Sequence, residues 1–365
     1  MQASLRPMHA PATDPDLRYC REVLPHVSRT FALNIRLLRG DFGDAVRIGY
    51  LMCRAADALE DSWPGAPAEI EARFDTMLAA IGGDAAAAEA IARDARAVAG
   101  GRSDLRLVAH YSQVWRAYRG LTAPVRAPLE DAVRTMAAGM RRFAARAAAR
   151  APGAPYLDTE AELHDYCYVV AGCVGEMLTR LARLETPADD STEAQRLVLA
   201  PVVGEALQLT NILLDWPADL RRGRCHLPAE WLAEHGLAPG DLAGADRPGV
   251  RALVVRLEAL ARAAIARVPD YVALFPGRFA RYRLFCTWPA LWAAGSLRAA
   301  RRDPEFPWGP RRPRLPKHEL WRQALEAVLR VRSDRGTRTL FERELAALSP
   351  RGPEAAPARG AERLA

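Results

Sequence analysis

Carboxylates recur four residues apart in two segments of this chain, and each segment is embedded in an apolar run that only a helix orders usefully. The first is Arg54-Ala55-Ala56-Asp57-Ala58-Leu59-Glu60-Asp61; the second, about 150 residues later, is Asn211-Ile212-Leu213-Leu214-Asp215-Trp216-Pro217-Ala218-Asp219. On an α-helix residues i and i+4 share a face. Asp57 and Asp61 therefore point the same way with Glu60 beside them, and Asn211, Asp215 and Asp219 form a second row. Like charges so spaced cost an isolated helix about 0.2–0.5 kcal/mol per pair, which a counter-cation or a wet face must offset. The flanks Ile48-Gly49-Tyr50-Leu51-Met52-Cys53 and Ala206, Leu207, Leu209 and Ile212-Leu213-Leu214 are apolar. Acids so flanked belong at the mouth of a buried cavity. A solvated polar face explains one such row; two rows, the second with Asn one turn upstream, point to a cation site.

Long Ala/Leu/Arg-rich stretches with sparse Gly/Pro punctuation predict an all-α fold, and 50 % hydrophobic residues suffice for a sizeable core. The net charge of +7 is carried almost wholly by Arg, Lys317 being the sole lysine. That charge is spread along many helices without a nucleic-acid-binding module, so no nucleic-acid partner is expected. Cys20, Cys53, Cys167, Cys173, Cys225 and Cys286 contain no CxxC pair and read as reduced, buried thiols of a cytoplasmic protein. No run approaches the ~20 apolar residues of a membrane span, and no signal-peptide pattern opens the chain. The basic charge suits peripheral contact with the inner face of a membrane.

Helical patterns run over 17–40, 43–62, 67–99, 104–119, 123–149, 159–184, 191–220, 247–268, 278–300 and 317–347. Pro/Gly clusters mark loops at 63–66, 151–155, 222–246 and 302–316. Residues 1–16 read as a flexible arm, 17–347 as a single all-α domain, and 348–365 as a disordered tail.

Magnesium takes oxygen ligands and binds through one or two carboxylates plus substrate phosphate oxygens. Two facing acid rows suit a small Mg²⁺ cluster that neutralises a departing diphosphate. Arg54, one turn before Asp57, and Arg29 in Ser28-Arg29-Thr30-Phe31 offer forked phosphate contacts, and Arg222 and Arg224 follow the second row in a short loop. Between the rows, Gly172 and Gly175 permit close helix packing, and the Tyr166 hydroxyl is placed to relay a proton. Phe285-Cys286-Thr287-Trp288-Pro289 is suited to lining an apolar channel, where aromatic faces stabilise a cation.

These motifs, in order and with compatible spacing, resemble the squalene and phytoene synthases, which join two prenyl diphosphates head to head. The resemblance runs from about residue 17 to about 300. It rests on Ser28-Arg29-Thr30-Phe31, Tyr50 and Arg54 to Asp61, Tyr166-Cys167-Tyr168 with Ala171, Gly172 and Gly175, and Leu207-Gln208 through Asn211, Asp215 and Asp219 to Gly223-Arg224 and Leu227-Pro228. The stretch from Phe285 to Ala293 leans toward the squalene synthase branch. What the resemblance implies is an isoprenoid synthase helical fold around a central apolar cavity. Asp57, Glu60, Asp61, Asn211, Asp215 and Asp219 would hold Mg²⁺. Arg29, Phe31, Tyr50, Arg54, Gln208, Asn211, Arg224 and Phe285 would bind a prenyl diphosphate such as farnesyl diphosphate, and Tyr166 would take the catalytic tyrosine position. The same machinery would serve a phytoene synthase, a single-substrate terpene synthase or, with chemistry lost, a scaffold protein.

Three features depart from the family pattern. Leu214 stands where an Arg usually precedes Asp215, Ala218 replaces an acid before Asp219, and Pro217 should kink the helix. NADPH is a second cofactor the family allows. The segment from Arg298 to Pro316 does not resemble an NADPH-contacting region, and no dinucleotide-binding GxGxxG motif occurs.

Overall fold

The computed structural model describes residues 14–243, 246–309 and 311–348, without the side chains of residues 29 and 30. Among the described residues the only β pairing is an isolated bridge between Pro155 and Cys225. The first half comprises α1 (Pro15–Val27), α2 (Arg29–Ile35), α3 (Gly40–Asp61), α4 (Pro67–Ile81), α5 (Ala85–Val98), α6 (Ser103–Val108), α7 (Tyr111–Arg119) and α8 (Ala123–Ala148). The second comprises α9 (Glu160–Cys167), α10 (Cys173–Glu185), α11 (Asp190–Arg221), α12 (Ala229–Glu234), α13 (Pro248–Ala266), α14 (Val268–Ala273), α15 (Ala280–Arg302), α16 (Lys317–Arg330) and α17 (Asp334–Ala346).

The all-α expectation holds, and the differences are breaks within long periodic segments. The expected helix 17–40 is interrupted at Ser28, whose backbone is extended and whose Oγ accepts the Phe31 N–H at 3.2 Å as an N-cap. Segment 67–99 splits where Gly83 adopts φ +113° and the Asp84 carboxylate accepts from the N–H groups of Ala86 and Ala87 at 2.8 and 3.1 Å. Ser333 caps α17 in the same way, through the Gly336 N–H at 3.1 Å, and divides 317–347. The expected loop 222–246 contains α12, held by fully buried Trp231. Helix α1 starts at Pro15, inside the expected arm, with Asp14 as its N-cap, and Leu348 of the expected tail is buried; residues 1–13 and 349–365 lie outside the described residues.

One hydrophobic cluster extends from Leu17 to Leu348. Its central helix is α11, packed against α10, α13, α14 and α15. Against expectation, α11 is long and apolar enough to cross a membrane, with a mean hydropathy of 1.7 over its most apolar 18 residues. In this fold its apolarity serves the bundle. Pro201 and Pro217 both lie inside α11, which continues to Arg221; the neighbouring helices hold it where an isolated helix would give way at proline.

Candidate active site

Both acid rows occupy the last turns of their helices: α3 ends at Asp61, and α11 ends two residues after Asp219. The negative end of a helix dipole disfavours carboxylates by about 0.3–1 kcal/mol each, so both rows call for positive charge. Helix α11 stops because Gly223 takes φ +74°. The Gly223 N–H then bonds the Leu220 carbonyl and the Arg224 N–H bonds the Asp219 carbonyl, each at 2.9 Å. This Schellman closure turns the chain so that Arg224 faces the other row.

Between the rows lies a cavity of about 300 Å³. Its wall includes Arg54 and Asp57 from α3, Gln208 and Asn211 from α11, and the rings of Phe31, Tyr50 and Phe285. A single π-helical turn, Tyr168–Gly172, joins α9 to α10 and brings Val170 and Ala171 to the same wall. Of the two glycines Gly172 and Gly175, the second has the close packing role expected of the pair. A Cβ on Gly175 would lie 2.2 Å from the Ala200 carbonyl oxygen, and one on Gly204 would lie 2.3 Å from that of Ala171. A side chain at Gly175 would force α10 from α11, and one at Gly204 would force the π-helical turn from α11.

Each acid is matched to an arginine or histidine. Arg54 donates to Asp104 at 2.8 Å and lies 3.6 Å from Asp57. Arg224 bridges to the first row, 2.7 Å from Glu60 and 3.3 Å from Asp61. Arg312, from the segment before α16, donates to the Asn211 Oδ1 at 3.0 Å and pairs with Asp215 at 3.2 Å. Asp219 has Arg222 at 3.7 Å and His226 at 3.6 Å. Leu214 is buried, 3 % exposed, so the guanidinium beside Asp215 comes from Arg312 and not from the helix itself.

The pairing leaves the acids short of positive charge. Burial pushes the Asp57 carboxyl up to about 7, Arg54 opposing and Asp61 and Glu60 adding to the rise; its side chain keeps 29 % exposure, so water at the mouth tempers the effect. Burial and the neighbouring Asp215 raise Asp219 to about 6, and burial raises Glu60 and Asp215 as well. Among the described residues no three acidic, histidine or cysteine side chains converge as a metal-binding group, and arginines stand against the carboxylates. An all-oxygen donor set deficient in positive charge nevertheless fits Mg²⁺ chemically.

Tyr166 does not line the cavity. It sits behind the first row in an aromatic cluster with Phe143, Tyr156 and His226, with ring centroids 5.2, 6.1 and 5.1 Å away. Burial, then Tyr156, Glu60 and Asp61, hold its hydroxyl well above the usual tyrosine range. His226 is kept neutral, its pKa lowered to about 3 by burial and by Arg224. A neutral ring that accepts from the Tyr156 hydroxyl at Nδ1 keeps its proton on Nε2, facing Asp219. Asp104, Tyr156, His226 and Arg312 were not anticipated from sequence. The Arg29 side chain lies outside the described residues.

Residues 24–319 match the squalene/phytoene synthase family. A phytoene synthase of Thermus thermophilus is 47 % identical over 108 residues, which is 29 % of this chain and 35 % of that protein. The squalene synthase of Homo sapiens is 26 % identical over 291 residues, 78 % of this chain and 63 % of its own length. The chain thus matches between about a third and about two thirds of the length of these curated relatives. Among solved structures, the complex of TcSQS with a ligand superposes with a TM-score of 0.70 at 24 % identity, covering 92 % of this chain and 93 % of that one. The likeness shows that the expected isoprenoid synthase fold is the one adopted.

Proposed function

Because the chain belongs to the squalene/phytoene synthase family, we propose that it joins two farnesyl diphosphates head to head and releases diphosphate. The cavity carries this reading: its wall is apolar and aromatic, and residues of both acid rows stand on it. An ester with a charged head and a long hydrocarbon tail suits that division. In the first step the C1–O bond of one substrate breaks and its electron pair leaves with diphosphate. The double bond of the second substrate attacks the allylic cation, and loss of a proton closes a cyclopropylcarbinyl diphosphate. Bound Mg²⁺, held by Asp57, Glu60, Asp61, Asn211, Asp215 and Asp219, would supply Lewis-acid neutralisation of the leaving group.

The protein's own residues bind and shield. Arg54 and Arg224 hold diphosphate from the α3 side, and Arg29 is assigned the same role from the sequence pattern. Arg312, whose side chain is 40 % exposed, exchanges Asp215 for a phosphate oxygen when substrate arrives. Gln208 and Asn211 orient the second head group. Phe31, Tyr50 and Phe285 exclude water from the cation and stabilise it with their ring faces. Tyr166, kept protonated beside Glu60 and Asp61, supports the first acid row from behind rather than touching substrate. The second ionisation ends in hydride transfer from NADPH, proton loss or capture of water, each giving a different C30 product. Such products are nearly insoluble in water, which supports an enzyme working at a membrane surface, on our reading the inner face on the cytoplasmic side.

A second reading, a phytoene synthase acting on geranylgeranyl diphosphate, is favoured by the 47 % identity with the Thermus enzyme. The test is incubation with either prenyl diphosphate and Mg²⁺, with and without NADPH, followed by mass analysis. A C30 product from farnesyl diphosphate is the expected result. A C40 product from geranylgeranyl diphosphate alone would transfer the assignment to the second reading, and silence on both would leave a scaffold.

A further inference from the structure

Four of the large hydrophobic side chains exposed among the described residues stand on one helix, α16: Trp321 at 63 %, Leu325 at 62 %, Val328 at 47 % and Leu329 at 74 %. Their spacing of i, i+4, i+7 and i+8 puts them on one face. The opposite face, Gln323, Ala324 and Ala327, is buried against α15, where the Trp288 Nε1 donates to the Ala324 carbonyl at 3.2 Å. Burial of that inner face accounts for the helix; the outer stripe has no partner among the described residues.

The charges on α16 and at its ends that lack an ion-pair partner among the described residues are positive. Both acids of α16 are engaged within the protein: Glu319 with Arg298, and Glu326 with Arg322 and Arg343. Exposed cations remain at the ends of the stripe. Lys317 stands one turn before Trp321, Arg330 and Arg332 follow Leu329, and Arg314 lies just upstream. Among the described residues none of these four is in an ion pair.

We infer that the outer face of α16 is a docking surface for an anionic lipid bilayer. An apolar stripe headed by Trp and bounded by cations is the pattern of a helix lying in the plane of a membrane interface, its apolar residues among the acyl chains and its cations at the head groups. A second copy of the chain is the poorer occupant, because a twofold contact through this face would set cations against cations. Helix α15 contributes Phe285 and Pro289 to the cavity wall and Trp288 to the contact with α16, so the bound membrane would lie one helix behind that wall. The inference stands on this surface alone and is independent of the reaction assigned to the cavity.

The test is cosedimentation of the full chain with phosphatidylcholine vesicles, with and without phosphatidylglycerol. The wild type should bind the anionic vesicles, less so at high salt. Joint Leu325→Glu and Leu329→Glu substitution should lower partitioning roughly ten-fold or more, with the melting temperature retained. Joint Lys317→Glu and Arg332→Glu substitution should remove the preference for phosphatidylglycerol. Turnover of detergent-dispersed substrate should be unchanged in both variants, which separates this test from that of the reaction. Failure of the wild type to bind, or undiminished binding by both variants, would overturn the inference. So would a wild-type dimer that the leucine variant dissolves.

Discussion

The two acid rows are chemically alike and held differently. The row on α3 is tied into the body of the fold: Arg54 is itself anchored by Asp104 on α6, and Arg224 spans Glu60 and Asp61 with only 29 % of its side chain exposed. The row on α11 is held mainly from the rim, by Arg312 at 40 % exposure and Arg222 at 72 %, with the largely buried, neutral His226 behind Asp219. Exposed pairs contribute about 0–1 kcal/mol, whereas removing one member of a buried pair costs about 3–5 kcal/mol. An incoming anion can therefore draw Arg312 and Arg222 away from their carboxylates cheaply, while Arg54 and Arg224 stay in place. One side of the site is a fixed wall; the other is the side that rearranges.

The largest expected effect erases both sides alike. Asp57→Ala and Asp215→Ala should each reduce Mg²⁺-dependent diphosphate release about a thousand-fold or more, with circular dichroism unchanged; wild-type turnover in either would remove that acid from the site. The next effect separates the rows. Arg224→Ala should destabilise the protein by roughly 1–3 kcal/mol in urea unfolding, because Glu60, 11 % exposed, loses its part-buried partner. Arg312→Ala should stay within about 0.5 kcal/mol of wild type and raise KM about ten-fold. Equal stability losses in the two would dissolve the contrast between wall and rim.

A smaller effect reads the charge deficit of the wall. The folded pKa of Asp57 lies at about 7, above its ordinary value, so over that interval the folded chain binds a proton that the unfolded chain has released. Its contribution to stability is full below about pH 4 and is lost as pH rises through about 7. Metal-free Asp57→Asn should therefore melt roughly 2–4 °C higher than wild type at pH 8 and show a flatter pH profile across that interval. Identical profiles would mean that Asp57 carries no unmet charge.

What was legible in the sequence follows the range of the interactions. Arg54 and Asp57 are three positions apart on one helix, and helical periodicity alone pairs them. Arg312 meets Asn211 across 101 positions and Arg54 meets Asp104 across 50, distances that periodicity does not span. Segment 302–316 reads as loop by its prolines, and nothing local marks Arg312 within it. Tyr156 and His226 are likewise 70 positions apart and join only when the chain after Gly223 folds back. The missed breaks at Ser28, Asp84 and Ser333 are a different case. Each carries its signal, a capping side chain, which continuous apolar periodicity on both sides obscured.

Whether the fixed wall and the movable rim form one site is tested most directly by calorimetric titration of Mg²⁺-diphosphate into four proteins: wild type, Asp57→Ala, Asp215→Ala and the double variant. A shared site requires that the double variant bind little worse than either single variant, a coupling well beyond the ~0.5 kcal/mol within which independent positions add. Fully additive losses, each single variant keeping half of the binding, would mean that the rows act separately and that the cavity has no common diphosphate site at its mouth.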